Sequence, residues 1–180
     1  TASHKPAEDN GYKAYGDDGC QLGGEACAQI YSNIQNTDIF VGVNTVDFDT
    51  ALSEGKIQYI GEDCYEEYYK NVLMQSVDSD LVGKSGLKVI YTPLHGAGNK
   101  PVRAILKRIG LKDVTVVPEQ SEPDGNFPTA PYPNPEIRQA FTCALEMAKI
   151  EKPDLLLATD PDCDRVGIAA LAALAHRKEG

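Results

Sequence analysis

Three short apolar runs, at 87–91, 114–117 and 154–158, alternate with segments that carry apolar residues at helical spacing. Between the first two, Val102, Ile105, Leu106 and Ile109 share one face of a helix over 100–109, and 136–149 has the same character between the second and third. Parallel neighbours need a crossover of a dozen or more residues, and strands covered on both faces read as continuous apolar runs. The order β-α-β-α-β therefore predicts an α/β fold: a mostly parallel sheet with flanking helices. Six prolines (118, 123, 128, 131, 133 and 135) fill the connection after the second strand, too many for a regular element.

The first half is less regular. Residues 1–19 are polar and read as a loop followed by one strand near Tyr12, Ala14 and Tyr15. Ala26, Ile30 and Ile34 stand four apart, which predicts an amphipathic helix over 23–35, entered after two glycines. Residues 37–60 hold no sustained period and read as a connection or a small strand pair. A second helix is expected over 62–77, with Tyr65, Tyr68 and Val72 on one side and acids in its first turn.

Charge narrows the partners. With 17 Lys and Arg against 27 Asp and Glu, the 180-residue chain has a formal net charge of −10. Sequence-independent binding to nucleic acid or to an anionic membrane needs a basic surface, so neither is an expected partner. No run approaches the ~20 apolar residues of a membrane span. The five cysteines (20, 27, 64, 143 and 163) form neither C-x-x-C nor a Cys/His zinc pattern, and no N-x-[ST] sequon is present. A reducing, cytoplasmic setting is the expectation.

The sharpest chemical signal follows the third strand: Thr159-Asp160-Pro161-Asp162-Cys163-Asp164-Arg165. Carboxylates at alternate positions on one short loop can converge as hard oxygen ligands, suited to Mg²⁺ or Ca²⁺. Ligands of open α/β sheets bind at the carboxyl ends of strands. The plainer alternative is a solvated acidic turn. An EF-hand would need Gly and Glu where Arg165 and Leu171 stand, and a helix in place of the strand. A phosphatase of the haloacid-dehalogenase type, with Asp160 as nucleophile, remains open, as does a non-catalytic metal-binding module.

A second signal opens the chain: Thr1-Ala2-Ser3-His4-Lys5-Pro6, then Asn10-Gly11-Tyr12-Lys13. A serine beside a histidine, with lysines close in sequence, can carry a phosphoryl group whose charge the cations offset. An ordinary polar turn is the alternative. The third, His95-Gly96-Ala97-Gly98-Asn99-Lys100-Pro101, imitates a dinucleotide fingerprint, but Pro101 takes the third glycine's place. Helix entry with close backbone packing is the better reading.

Together these residues resemble the α-D-phosphohexomutase superfamily of phosphoglucomutases and phosphomannomutases. T-A-S-H-K-P with N-G-Y-K is similar to its catalytic serine loop, and D-P-D-C-D-R to its metal loop. T-P-L-H-G-A-G, V-P-E-Q and P-D-G-N-F-P are similar to segments of its second domain. The resemblance implies the end of domain I with the serine loop at 1–45, domain II with the metal loop at 46–170, and a tail of uncertain character at 171–180. It further implies Ser3 as phosphoserine carrier, and Mg²⁺ held by Ser3, Asp160, Asp162 and Asp164. Arg165 would bind the phosphoryl group, and His4 and Lys13 would assist proton transfer. The implied substrate is a hexose phosphate, isomerised through a hexose 1,6-bisphosphate, with further domains of the same chain as partners. Lys5 stands where the family pattern has Asn. The family's sugar-recognition and phosphate-binding loops are not in this sequence, so negligible turnover is expected of the chain alone.

Overall fold

The structure, a computed structural model, describes residues 3–170. Thr1 and the expected tail at 171–180 lie outside the described residues. The chain divides into two compact units: 12–65, and 3–11 together with 66–170.

In the unit of 12–65, the strand expected near Tyr15 is reduced to one antiparallel bridge, Tyr15 to Gln21. Helix α1 (Gly24–Asn36) forms where the four-residue spacing placed it and ends as Thr37 turns extended. It buries none of its residues. The segment read as a connection or strand pair contains a short helix, α2 (Phe48–Ser53). The Asp47 carboxylate caps it, accepting from the Thr50 N–H at 3.0 Å and the Thr50 hydroxyl at 3.1 Å.

Helix α3 (Glu62–Leu73) straddles the division and is followed by α4 (Ser79–Ser85), which the sequence reading did not anticipate. The other unit continues with β1 (Lys88–Thr92), α5 (Asn99–Arg108), β2 (Asp113–Val116), α6 (Thr142–Glu151), β3 (Leu155–Thr159) and β4 (Val166–Ala170). Short 3₁₀ turns at Pro118–Gln120 and Arg138–Phe141 punctuate the proline-rich connection and the start of the helix expected over 136–149. The order across the sheet is β2-β1-β3-β4. β1 runs parallel to both β2 and β3, with Ile90 level with Thr115 and Leu156. β4 is antiparallel to β3, which makes the sheet mixed.

Ile90, Leu94, Val117, Phe141, Ala144, Leu156 and Ala158 form the core between the sheet and α6. Each large apolar side chain buried there stabilises the fold by roughly 1.5–3 kcal/mol. Burial on both faces explains why β1 and β3 were legible as unbroken apolar runs. β1 connects to β2 on one side and the chain then returns to β3 on the other. The carboxyl ends of β1 and β3 thus lie side by side at a point where the strand order reverses, the place where open α/β sheets bind ligands.

Candidate active site

β3 delivers Asp160 directly from the sheet. The Asp160 carbonyl accepts from the Cys163 N–H at 3.0 Å, closing a turn, and its carboxylate accepts from the Arg165 N–H at 2.9 Å. Asp160 is fully buried, Asp162 is half-buried and Asp164 is exposed, so the three carboxylates step outward from the sheet to solvent. One oxygen from each lies within 4.8 Å of the others.

Ser3 reaches this cluster from the far end of the sequence. Its hydroxyl oxygen lies 2.8 Å from Asp160 Oδ2 and 2.6 Å from Asp162 Oδ1, and its one proton can be donated to either. His4 Nδ1 is 3.4 Å from the same hydroxyl oxygen. The structure thus brings together Ser3, His4, Asp160, Asp162 and Asp164. Lys13 belongs to the unit of 12–65. Arg165 follows the cluster, but its guanidinium donates to Glu136 Oε1 at 2.9 Å. Glu136 was not singled out in the sequence, where nothing links it to an arginine 29 positions away.

Ser3 (φ 57°) and Cys163 (64°) have left-handed backbones, as do Leu94 (47°) and His95 (61°) in the loop after β1. Such conformations cost on the order of 1–3 kcal/mol each and persist where surrounding contacts over-determine them, characteristically at functional sites.

Burial pushes the Asp160 carboxyl above the usual carboxylate range. The Ser3 and Arg165 hydrogen bonds oppose that shift, and neighbouring Asp162 adds to it. Crowded carboxylates at a buried position are unfavourable unless a cation compensates them. The donors are all hard oxygens, three carboxylates and a hydroxyl, which fits Mg²⁺ or Ca²⁺ and not a thiolate-seeking metal. All five cysteines are free thiols. Among the described residues, no helix is long and apolar enough to cross a membrane.

The chain is similar to known proteins in both sequence and fold. Residues 66–172 match the model of the phosphoglucomutase/phosphomannomutase alpha/beta/alpha domain II, and residues 1–39 match that of alpha/beta/alpha domain I. A phosphoglucomutase of Staphylococcus epidermidis is 38% identical over 171 residues, covering 93% of this chain and 30% of its own length. A phosphoribomutase of Saccharomyces cerevisiae is 36% identical over 185 residues, covering 94% and 29%. A phosphomannomutase of Mycoplasmoides pirum is 30% identical over 168 residues, covering 93% and 30%. This chain therefore spans about three tenths of the length of such relatives. A solved phosphoglucomutase/phosphomannomutase family protein from Burkholderia thailandensis shares the fold, with a TM-score of 0.56 at 20% identity over 94% of this chain and 32% of its own. The domain II model alone covers more than half of the residues, and the chain belongs to the phosphoglucomutase/phosphomannomutase family.

Proposed function

We propose that this chain carries the serine loop and the metal loop of a phosphohexomutase, an intramolecular phosphotransferase acting on hexose phosphates in the cytoplasm. Residues 1–45 are assigned to the end of domain I and 46–170 to domain II. The observation that carries the reading is the Ser3 hydroxyl, within hydrogen-bond distance of both Asp160 and Asp162 across 157 and 159 positions of sequence. A serine held against paired carboxylates gains nothing as a proton donor to solvent. The placement suits a hydroxyl that is esterified and whose phosphoryl oxygens face a cation.

In this reading Ser3 Oγ carries the phosphoryl group. The P–O bond to Ser3 breaks as a P–O bond to a sugar hydroxyl oxygen forms, giving a hexose 1,6-bisphosphate. The sugar hydroxyl's proton passes to His4 or Lys13, and the freed Ser3 Oγ takes up a proton, which it gives up again when it is rephosphorylated. After the intermediate reorients, its other phosphoryl returns to Ser3 Oγ and a proton goes back to the departing sugar oxygen. Mg²⁺, held by Asp160, Asp162, Asp164 and an oxygen on Ser3, would supply Lewis-acid stabilisation of charge on the transferring group. Otherwise the protein contributes position and electrostatics. The Arg165–Glu136 pair is partly exposed, and such pairs are worth about 0–1 kcal/mol, so exchanging Glu136 for a phosphoryl oxygen costs Arg165 little.

Peptide mapping of the protein as purified, and after incubation with glucose 1,6-bisphosphate, locates the carrier. Phosphate is expected on Ser3 and absent from Ser3→Ala. A phosphate on Asp160 instead would replace this reading with the dehalogenase-type phosphatase.

A further inference from the structure

The loop after β3 presents alternate residues in two directions. Asp160, Asp162 and Asp164 gather their carboxylates on one edge. Thr159, Pro161 and Cys163, the residues between and before them, meet β1 and the loop that follows it. Tyr91, buried in β1, has its hydroxyl 2.8 Å from the Thr159 hydroxyl. The Ala97 N–H donates to the Pro161 carbonyl at 2.8 Å. Gly96 approaches Pro161 so closely that a Cβ there would run into that residue's backbone. A Cβ at Gly98 would sit 2.5 Å from the Tyr91 hydroxyl oxygen, 2.7 Å from Thr159 Oγ1 and 3.0 Å from Cys163 Sγ. No side chain larger than hydrogen fits at either glycine without displacing what it touches.

This holding surface is itself braced. The His95 N–H donates to the Gln120 carbonyl at 3.0 Å, and the His95 carbonyl accepts from the Asp124 N–H at 3.1 Å. The His95 ring nitrogen Nε2 lies 2.9 Å from the Thr129 hydroxyl. Thr92 accepts from the Leu94 N–H at 3.0 Å and donates to Gln120 Oε1 at 2.7 Å. The proline-rich connection therefore backs the loop after β1, and that loop backs the carboxylate loop.

We infer that Tyr91, Gly96 and Gly98 are positioning residues: they fix the odd-numbered edge of the loop so that the even-numbered carboxylates stay convergent. The inference rests on the reading of Asp160, Asp162 and Asp164 as metal ligands. Its physical basis is preorganisation. Three like charges repel and would otherwise splay a short loop, and a ligand set held in place before binding avoids that ordering cost on binding. H-G-A-G thus serves the metal loop, beyond its role in helix entry.

Mn²⁺ is the probe, titrated into this chain and followed by electron paramagnetic resonance, with circular dichroism and melting recorded alongside. Tyr91→Phe and Thr159→Val should each weaken Mn²⁺ binding about tenfold, equivalent to about 1.4 kcal/mol. Both should alter the bound spectrum, and Gly98→Ala should weaken binding further. Thr159→Ser should restore most of the affinity. A role in packing alone would reverse the Thr159 order, since valine fills the threonine volume and serine leaves a hole. Gly23→Ala, where a Cβ meets nothing, should bind as wild type. If Gly98→Ala does not fold, Tyr91→Phe and the two Thr159 variants decide. Folded variants with wild-type affinity and spectrum, alongside a loss in Asp162→Ala, overturn the positioning inference alone. A wild-type chain that binds no Mn²⁺ overturns the metal reading, and this inference with it.

Discussion

Asp160 is the residue on which fold and site make opposing demands. It sits fully buried at the end of β3 beside a second carboxylate, and its carboxyl is pushed upward chiefly by that burial. A carboxyl with a raised folded-state pKa favours folding in its neutral form, so its contribution is present at low pH and is lost as pH rises through the folded value. Asp160→Asn removes this dependence and can keep one oxygen for the Arg165 N–H. The metal-free variant is expected to melt at or above the wild-type temperature at neutral pH, while Mg²⁺ binding by calorimetry is weakened. A variant that melts well below wild type would mark Asp160 as a structural residue first. The alternation of Asp160, Asp162 and Asp164 was legible in the sequence because all three lie within five positions. Their meeting with Ser3 was not legible from spacing, since no periodicity relates residues 157 apart; only the family resemblance pointed to it.

At the scale of the element, burial decided what could be read. β1 and β3 announced themselves through apolar runs, but β4 is an edge strand whose Val166, Ile168 and Ala170 face outward, and its small residues imitate a loop. α2 has six residues, too few to establish a helical period, and its one strong cue is the Asp47 cap. Hydrogen bonds from the Thr50 backbone and side chain lower the Asp47 pKa. The cap's stabilisation is therefore present above the ordinary carboxylate range and is lost as pH falls through the lowered value. The Thr50 amide resonance is expected to titrate with a midpoint below that of an unperturbed aspartate, and Asp47→Ala should abolish the titration. A midpoint at the ordinary value would remove the cap from the account of α2. The helix expected over 136–149 tightens at its start into the 3₁₀ turn of Arg138–Phe141, a local choice that apolar spacing does not register.

Across the whole molecule, stability is unevenly distributed. The described core lies in the unit of 3–11 and 66–170, whereas α1 buries nothing and Tyr31, Ile34, Phe40 and Val41 of the other unit are exposed. Ile90→Ala, in β1, should destabilise the chain by about 2–5 kcal/mol in urea unfolding. Ile34→Ala, on the open side of α1, should stay within about 0.5 kcal/mol. Equal losses would mean that the two units unfold as one body around a shared core. The parallel sheet, its crossovers and the carboxylate loop were legible because they rest on contiguous runs; the exposed amphipathic face of α1 was legible as a helix but not as an unburied one, because a hydrophobic pattern states what a face requires and not what meets it. The outward staircase from buried Asp160 to exposed Asp164 has a kinetic consequence. If the three carboxylates hold a divalent cation as proposed, Asp164 would be the first that an ion from solvent meets and Asp160 the last, so capture and retention would fall to different residues. Asp164→Asn should slow association, and do so most at low ionic strength, with little change in the escape rate. Asp160→Asn should hasten escape while arrival stays near wild type, a division that stopped-flow mixing with a fluorescent chelator can separate.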